Sequence, residues 1–434
     1  MASTKLNFFY ENMQISEKFL KEIEDLIVEF VRDHLKLNTS STRSQIFTPR
    51  KEDGLGLTKP STMYHAKRVS FLLSVLNSDD PQVRSLTRNS FVLHMQKRKV
   101  SAARPGEDNF GGYKVNNAYR LDKNSKTNWP RSAFVELNEL CVKMNIRLHF
   151  DQDSDLYSIA LPLRRYSDPR QLFTALKSLE IKKDLDHWRT LLQQGRLQRE
   201  TFPYADMPDS IGHLTNSNIN DHLTRFIVKG RLQLLETNAV NNTYFPQTYS
   251  RSCSLCSFHS DTNSHALNGC RSLRGLHSER HDRCVKLVKN ELVKNVVTDF
   301  CQVFENQVVT LPGHGVLNSS RPDLCLIDHN NSKAFVIEIS NPFDTFVEQC
   351  YQHKFNKYMP LCLLLNDAGF LTKIIVIVVG SLGTVHRRVV PGLTLLGLPK
   401  KTCKHLAKYM SISTMIGSRR VWARRSYAIE RSSR

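Results

Sequence analysis

The chain has 434 residues and carries 61 Lys and Arg against 41 Asp and Glu, which gives a formal net charge of +20 at pH 7. Hydrophobic residues make up 40% of it, so the sequence excludes a globally disordered protein and allows buried cores in roughly two to four domains. A positive charge this large favours a polyanionic partner, most often nucleic acid.

The sequence also argues against a secreted or membrane protein. Its N-terminus, MASTKLNFFYENMQISEKF, lacks a basic stretch followed by an apolar core, so it does not resemble a signal peptide. The longest purely apolar run, Ile374–Val379, is too short to span a bilayer. Ten cysteines in a chain of this length do not indicate a disulfide scaffold. We therefore expect an intracellular, reduced protein with no membrane partner.

Residues 1–236 are predicted to be mostly helical. A helix over 13–36 would place Ile15, Phe19, Ile23, Ile27 and Phe30 against a core. Further helices are expected from an N-cap at Ser61 to Leu76, in 131–150 before a short strand, in 167–200 and in 214–236, with basic sites near Lys229 and Arg231. Residues 99–130 are predicted to be a loop-rich connection, and 237–250 a polar linker at a domain boundary.

One short segment superficially resembles the catalytic box of a polymerase palm. Tyr204–Met207 reads YADM, but it lacks the second carboxylate, and Pro203 and Pro208 flank it where paired central strands would be needed. The sequence therefore predicts no polymerase palm in this chain.

A cysteine cluster follows the predicted boundary. Cys253, Cys256, His265 and Cys270 are spaced as C-x2-C-x8-H-x4-C. Two cysteines three apart can hold one ion from a turn, and the His–Cys pair can complete a tetrahedron from a second turn or short helix. The pattern predicts a structural zinc site, with four unrelated residues in a Ser-rich loop as the alternative. His259 is a competing ligand that would leave a much tighter loop, so we expect it to be exposed.

Two basic segments lie near this cluster and at the C-terminus. Residues 271–294 hold seven Lys or Arg, among them Arg271 and Arg274, against three acids, and favour a basic helix facing a phosphate backbone. Residues 400–434 carry ten Lys or Arg and one acid, with Trp422 and Tyr427 interleaved. This pattern suits nucleic-acid contact, although a solvated helical face and a disordered tail are the alternatives.

A hairpin is predicted in residues 321–340. Asn330-Asn331 suits a two-residue turn, because asparagine tolerates positive φ. His329 would then pair with Ser332, and in the same register Asp323 faces Glu338. Directly opposed side chains lie roughly 4.5–5.5 Å apart at Cβ, where like charges repel. A cation between the two carboxylates would relieve the repulsion, which is how hard metals are bound.

The next helix supplies a candidate third group. At 100° per residue, Phe343, Val347, Cys350 and Tyr358 form one apolar stripe with Lys354 near its middle. A lysine there needs an anionic partner or a function. Two carboxylates and an inward lysine form the working set of a metal-dependent phosphodiesterase. The alternative is ordinary, because acids often flank strands and lysines extend from apolar stripes to solvent.

The order of these features resembles the C-terminal region of non-LTR retrotransposon proteins with a restriction-like endonuclease, the early-branching site-specific group. The resemblance rests on the cysteine–histidine knuckle, on the RPD that contains Asp323, on Glu338, and on KxxKY in the following helix. It covers 253–358 well. A looser match, in 48–84, is to the segment after the polymerase palm.

The resemblance implies a variant of the PD-(D/E)xK fold, with Asp323 and Glu338 binding Mg²⁺. The usual lysine position is occupied by Ser340, and this retrotransposon group takes the lysine from the following helix, here Lys354, with Lys357 as the fallback. It also implies Zn²⁺ at the knuckle, and target DNA, element RNA and a reverse transcriptase palm in cis or trans as partners. Arg321 is expected to contact phosphate, and the protein is expected in the nucleus, with a cytoplasmic ribonucleoprotein also possible.

The predicted fold class is α+β. We expect a helical, thumb- or linker-like region over 1–236, a zinc module over 250–295, a restriction-like nuclease core with a mixed sheet over 296–400 and a basic tail over 401–434. The predicted function is a DNA endonuclease whose nick primes reverse transcription. Two alternatives stay open: a zinc-dependent nucleic-acid-binding remnant without catalysis, and a polymerase fragment that needs its palm in trans.

Overall fold

The computed structural model describes residues 10, 11, 13–97, 133–217, 219–311, 315–316 and 318–432. The predicted loop-rich connection at 99–130 lies outside these residues. Within them the chain forms a mixed α and β structure, which confirms the predicted class at that level.

The elements follow one another along the chain. The N-terminal half contains α1 (Glu17–Leu35), α2 (Ser44–Phe47), α3 (Pro60–Leu76), α4 (Pro81–Lys97), α5 (Ala133–Met144), β1 (Arg147–Asp151), β2 (Leu156–Ala160), β3 (Arg165–Tyr166), α6 (Pro169–Thr190), α7 (Arg196–Glu200), α8 (Met207–Ser210), α9 (Gly212–Thr215) and α10 (Asp221–Arg231). The C-terminal half contains α11 (Asn238–Tyr244), α12 (Arg274–Asn295), β4 (Cys301–Glu305), β5 (Thr310–Leu311), β6 (Gly315–Val316), β7 (Leu324–Asp328), β8 (Lys333–Ser340), α13 (Val347–Asp367), β9 (Leu371–Val378), α14 (Val389–Leu395) and α15 (Lys400–Ser432).

The chain divides into two compact units, and the division differs from the predicted one. The first unit comprises residues 1–30 and 57–184, and the second comprises 31–56 and 185–434. The two units do not separate at the predicted boundary, 237–250, and part of that segment forms α11. The reason is packing: Phe226 and Ile227 of α10 are buried in the same cluster as Cys253 of the cysteine cluster.

Helix α1 buries a different face from the predicted one. Phe19 is 53% exposed and Phe30 is 72% exposed, whereas Leu20, Val28 and Val31 are buried. The buried stripe is thus shifted by one residue from the predicted stripe. Glu24 lies on the same buried face, and its carboxylate accepts a hydrogen bond from the backbone N–H of Ser61 at 3.0 Å.

That contact also shows that Ser61 is not an N-cap. Helix α3 begins at Pro60, whose missing N–H costs nothing at the first helical position, and Lys59 is the cap residue. The predicted end at Leu76 is confirmed. Asp80 then accepts from the backbone N–H of Gln82 at 2.8 Å and so begins α4.

In the first unit a hydrophobic core packs against a small antiparallel sheet in the order β1-β2-β3. Leu148, Tyr157 and Ile159 of this sheet pack with residues of α3, α5 and α6. The predicted strand at the end of 131–150 and the predicted helix in 167–200 are both present as β1 and α6.

The second unit is built around a four-stranded mixed sheet in the order β4-β7-β8-β9. β4 pairs with β7 and β7 with β8 in antiparallel fashion, while β9 runs parallel to β8. The parallel pair requires a crossover, and α13 provides it. β9 lies at the edge of this four-stranded sheet, not at its centre, and its last four residues, 375–378, are buried.

Helices cover both faces of this sheet. On one face Tyr358, Leu361 and Leu365 of α13 pack against β7 and β8. On the other face residues of α12 and α15, including Val288 and Met410, pack against β8 and β9. Successive β8 residues alternate between the two cores: Val336 faces α13 and Ile337 faces α12. The end of β8 is therefore held between α12 and α13.

The predicted basic tail is not a separate appendage. Lys400–Ser432 forms one helix of 33 residues, with Cys403, Met410, Met415 and Val421 fully buried along it. Apart from the buried Arg425, its lysines and arginines lie toward the outer face, while the inner apolar residues contribute to two core clusters. No helix in the described part of the chain is long and apolar enough to cross a membrane.

Candidate metal centre and carboxylate site

The four predicted zinc ligands lie together in the structure. One ligand atom from each of Cys253, Cys256, His265 and Cys270 falls within 4.8 Å of the others. The Sγ of Cys256 is 3.3 Å from Nε2 of His265. Three thiols and one imidazole in a compact group are the donor set and number that structural zinc prefers, so the residues fit that ion. His259 is exposed and outside the group, as predicted.

Two tight turns present these ligands. In the first, the backbone N–H of Ser257 donates to the carbonyl of Cys253 at 2.9 Å, and Ser257 takes a positive φ of 57°. In the second, His265–Gly269 forms a single wide helical turn, and the N–H of Cys270 donates to the carbonyl of His265 at 2.8 Å. This is the turn and short helix that the spacing predicts.

The surroundings orient the imidazole and the thiols. Phe258 stacks on His265 with ring centroids 4.7 Å apart and planes 9° apart. Burial raises the pKa of the Cys256 thiol, but hydrogen bonds from the backbone at Phe258 and from the neighbouring cysteines outweigh it, and the net pKa is lowered. Burial raises the pKa of the other two thiols, Cys253 and Cys270, so of the three only Cys256 favours the thiolate form.

A buried arginine joins the cysteine cluster to the rest of the unit. Arg280 of α12 donates to the carbonyl of Leu267 at 3.1 Å and to the hydroxyl of Ser418 at 2.7 Å. It also donates to the carbonyl of Asn341 at 3.3 Å, directly after β8. The cluster, α12, α15 and the central sheet therefore share one polar network, which spacing alone could not reveal.

The hairpin that carries the two carboxylates has the predicted register but a longer loop. Five pairs, from Leu324↔Ile337 to Asp328↔Lys333, follow the predicted pairing. Residues 329–332 are all turn, so His329 and Ser332 are not a strand pair, and the positive φ belongs to Ser332 rather than to either asparagine. The reason is local: Asp328 accepts from the backbone and side chain of Asn331 at 3.0 and 2.7 Å and begins the turn early.

Asp323 and Glu338 are adjacent at the open end of this ladder. The backbone N–H of Asp323 lies 3.4 Å from Oε2 of Glu338, and Oδ2 of Asp323 accepts from the N–H of Ile339 at 2.7 Å. Glu338 is 3% exposed. Oxygen ligands of this kind suit Mg²⁺. In the described part of the chain only the cysteine cluster brings three or more His, Cys, Asp or Glu ligands together. A cation at the carboxylates would thus keep several waters, as Mg²⁺ does.

Lys354 reaches the carboxylate pair from α13. Its Nζ donates to Oε1 of Glu338. Burial lowers the pKa of Lys354, but the hydrogen bond and charge of Glu338 outweigh burial, so the net pKa is raised and the ammonium stays charged. The helix begins at Val347, after a short turn at Asp344–Phe346, rather than at the predicted Phe343. The stripe is nevertheless as predicted from Val347 to Tyr358, and it positions Lys354 inward.

Tyr358 completes this side of the site. Its hydroxyl donates to the carbonyl of Arg321 at 3.1 Å and accepts from Nζ of Lys357 at 3.0 Å. Burial, followed by the hydrogen bond and charge of Glu338, raises the pKa of Tyr358, so the phenol stays protonated. Lys357 is bound to Tyr358 and not to the carboxylates, which distinguishes it from Lys354.

The predicted phosphate-binding residues occupy two places. Arg321 and Lys357 are exposed beside the carboxylate site, at the start of the hairpin and on α13. Arg271 and Arg274 are exposed next to the cysteine cluster and at the start of α12. By contrast Arg231, expected as a basic site, is buried and paired with Asp53. Its guanidinium also donates to the carbonyls of Ser210 and Leu382.

The sequence did not indicate His281 as part of this site. Its Nε2 lies 3.3 Å from Oδ2 of Asp323, and this hydrogen bond raises the pKa of His281 to about 9, against burial. A signal was present, because His281 precedes the buried Cys284 and Val285 of α12 by three and four residues and so continues their stripe. Its target on another element could not be read from that spacing.

Each carboxylate therefore has its own cation, His281 for Asp323 and Lys354 for Glu338.

No protein-family model matches the sequence, and no curated protein is similar to it at a significant level. The function of the chain is therefore inferred from the geometry and charges of the candidate site.

Proposed function

We propose that this chain is a Mg²⁺-dependent DNA endonuclease. The observation that carries the proposal is the position of the Glu338 carboxylate, which lies between the backbone of Asp323 and the ammonium of Lys354. Two oxygen ligands for a hard cation and one fixed ammonium are the groups that phosphodiester hydrolysis requires.

Each residue has a distinct role in this proposal. Asp323 and Glu338 would hold the cation, and Lys354 stabilises negative charge that develops on the phosphate. The bound cation would activate water and neutralise the phosphate. Tyr358 holds the carbonyl of Arg321 and thereby fixes the start of the hairpin.

The proposed substrate follows from charge. The net charge is +20, and exposed Arg271, Arg274, Arg321 and Lys357 carry cations near the cysteine cluster and the carboxylate site. Such groups bind phosphate backbones without reading sequence. The further steps, an origin in a non-LTR retrotransposon and a nick that primes reverse transcription of an element RNA, rest on the resemblance described above.

The fold is compatible with a restriction-like nuclease core. A helix, three antiparallel-paired strands, a crossover helix and a parallel fourth strand follow in order as α12, β4, β7, β8, α13 and β9. The carboxylates lie at the end of the β7–β8 ladder, beside α12 and α13. This supports the proposal without deciding the chemistry, because one fold can host many functions.

The test is nicking of supercoiled plasmid DNA in Mg²⁺ by the full chain. We expect nicking by the wild-type protein, and loss of it in Asp323→Asn, Glu338→Gln and Lys354→Met. Asp367→Asn is the matched control, because Asp367 is exposed at the last position of α13. Equal nicking by the wild-type protein and Asp323→Asn would remove the assignment.

The catalytically inactive nucleic-acid-binding remnant remains a second candidate, and one observation favours it. Because His281 and Lys354 already neutralise the two carboxylates, the site is balanced without a metal ion. In this case neither wild-type protein nor variant nicks DNA, and DNA binding survives Asp323→Asn combined with Glu338→Gln.

A further inference from the structure

We infer that His281 is a positioning residue that holds Asp323 in its metal-binding orientation. The inference rests on the proposed function, since it concerns the same carboxylate. Its basis is a hydrogen-bonded chain from Asp282 through the His281 ring to Asp323, on a helix that the sequence associates only with phosphate contacts.

The surroundings of Asp323 hold its carboxylate in one orientation. Oδ2 of this carboxylate is fixed from two directions, by the N–H of Ile339 at 2.7 Å and by Nε2 of His281 at 3.3 Å. Nε2 also lies 3.1 Å from the carbonyl oxygen of Ile339. The imidazole therefore ties the residue before β7 to the end of β8. With Oδ2 held, rotation of the carboxylate is restricted and Oδ1 keeps one direction.

The His281 ring is itself held in one orientation. Nδ1 of His281 lies 3.1 Å from Oδ1 of Asp282, so both ring nitrogens face carboxylate oxygens. A carboxylate on one nitrogen fixes which way an imidazole points, as it does in metal sites where an outer carboxylate orients a histidine. Here the imidazole in turn orients a carboxylate.

The helix that carries His281 is firmly packed. Cys284 and Val288, on the same side of α12 as His281, are fully buried against the sheet, and Arg280 is bound to the cysteine cluster and to Asn341. A side chain on a packed helix holds its partner more accurately than one on a loop. Helix α12 thus carries Arg274 and Arg283 toward solvent and His281 toward Asp323.

This arrangement makes a measurable claim about the metal. If His281 positions Asp323, its loss weakens cation binding and does not change the fold. Removing the partner of a metal-binding carboxylate or histidine typically costs about 10- to 100-fold in metal affinity or activity. A glutamine at this position can still donate an N–H toward Asp323, but it is a poor metal ligand, so it separates positioning from direct coordination.

The experiment compares wild-type protein, His281→Ala, His281→Gln and Asp323→Asn. Nicking is titrated with Mg²⁺, and Mn²⁺ binding is measured by electron paramagnetic resonance without DNA. We expect His281→Ala to raise the half-saturating Mg²⁺ and the Mn²⁺ dissociation constant about 10-fold, and His281→Gln to return both to within about 2-fold of wild type. Zinc content stays equal in all four proteins. The matched control is His187→Ala, since His187 is exposed on α6.

The outcomes separate the inference from the proposed function. Unchanged or tighter metal binding in His281→Ala overturns the inference while nicking still stands, because tighter binding would show that His281 acts only as a competing cation. A defect in His281→Gln equal to that in His281→Ala also overturns it, because it indicates direct coordination. If wild-type protein binds Mn²⁺ through Asp323 but does not nick DNA, the proposed function is wrong, and the Mn²⁺ affinities of the His281 variants still decide the inference. No Asp323-dependent Mn²⁺ binding overturns both.

Discussion

Arg425 donates to the carboxylate of Asp261 although 164 residues separate them. Both side chains are buried, the carboxylate fully. Asp261 lies in the loop between Cys256 and His265 of the cysteine cluster, and its Oδ2 also accepts from the backbone N–H of Asn238 at 2.9 Å. The C-terminal helix, although rich in arginine, is therefore part of the support of the metal centre.

The first prediction concerns this pair. Arg425→Ala leaves a buried carboxylate without its cation, so we expect it to lower the free energy of unfolding by about 3–5 kcal/mol. Chemical denaturation followed by circular dichroism measures the change. Arg424→Ala is the control, because Arg424 is exposed one residue earlier. Equal effects of the two substitutions would show that the pair contributes nothing specific.

The second prediction concerns the metal centre. We expect one zinc ion per chain by elemental analysis, and its loss in Cys253→Ser and His265→Ala, because each supplies one of four ligands. His259→Ala should retain the ion, since His259 is exposed outside the group. A chelator should lower the melting temperature of the wild-type protein, because the ion stabilises only the folded state. A zinc-free wild-type protein would contradict this assignment.

The third prediction separates the two lysines of α13. Lys354→Met should reduce the nicking rate at saturating DNA by about 100-fold or more, as loss of one fixed donor at developing charge usually does. Lys357→Met should mainly weaken DNA binding and reduce its salt dependence, because Lys357 is exposed and bound to Tyr358. Single-turnover kinetics at several salt concentrations distinguish the two effects. The reverse pattern would transfer the catalytic role to Lys357.

The fourth prediction concerns pH and stability. Burial, followed by the charge of Asp206, raises the pKa of Asp209 to about 6, against Lys408 and Lys404. The Nζ of Lys408 is 4.0 Å from Oδ1, and the Asp209 side chain is 3% exposed. The folded state then binds more protons than the unfolded state between about pH 4 and pH 6, so this group lowers stability as pH rises through that range.

Asp209→Asn should therefore stabilise the protein by on the order of 1–3 kcal/mol at pH 8, with the gain vanishing below about pH 4. Urea unfolding at pH 4 and pH 8 measures it. The exposed Asp367→Asn is the control and should change little at either pH. A gain for Asp209→Asn that is the same at both pH values would show that ionisation is not its cause.

Local patterns were sufficient for part of this structure. The spacing of Cys253, Cys256, His265 and Cys270 predicted that these four residues lie together as a candidate metal centre, because ligand spacing within a short loop limits the geometry directly. The hairpin register followed from a turn at Asn330-Asn331, although the loop is longer than expected, because register depends only on which residues pair. Helical spacing placed Lys354 inward, because residues three or four apart lie on the same face of a helix.

Long-range packing decided the rest. Packing partners on other elements decide whether α1 buries Phe19 or Leu20. They also decide whether residues 400–432 are a tail or a core helix. In both cases the two alternatives have helical periodicity, so the sequence does not distinguish them. The contact of His281 with Asp323 joins residues 42 positions apart on two elements. The sequence by itself thus determined which local residues come together at the two candidate sites. Only the tertiary structure decided which cations support them, the half-buried His281 and the buried Arg280 and Arg425, because a charge removed from water is matched by whichever partner the fold brings within hydrogen-bonding distance.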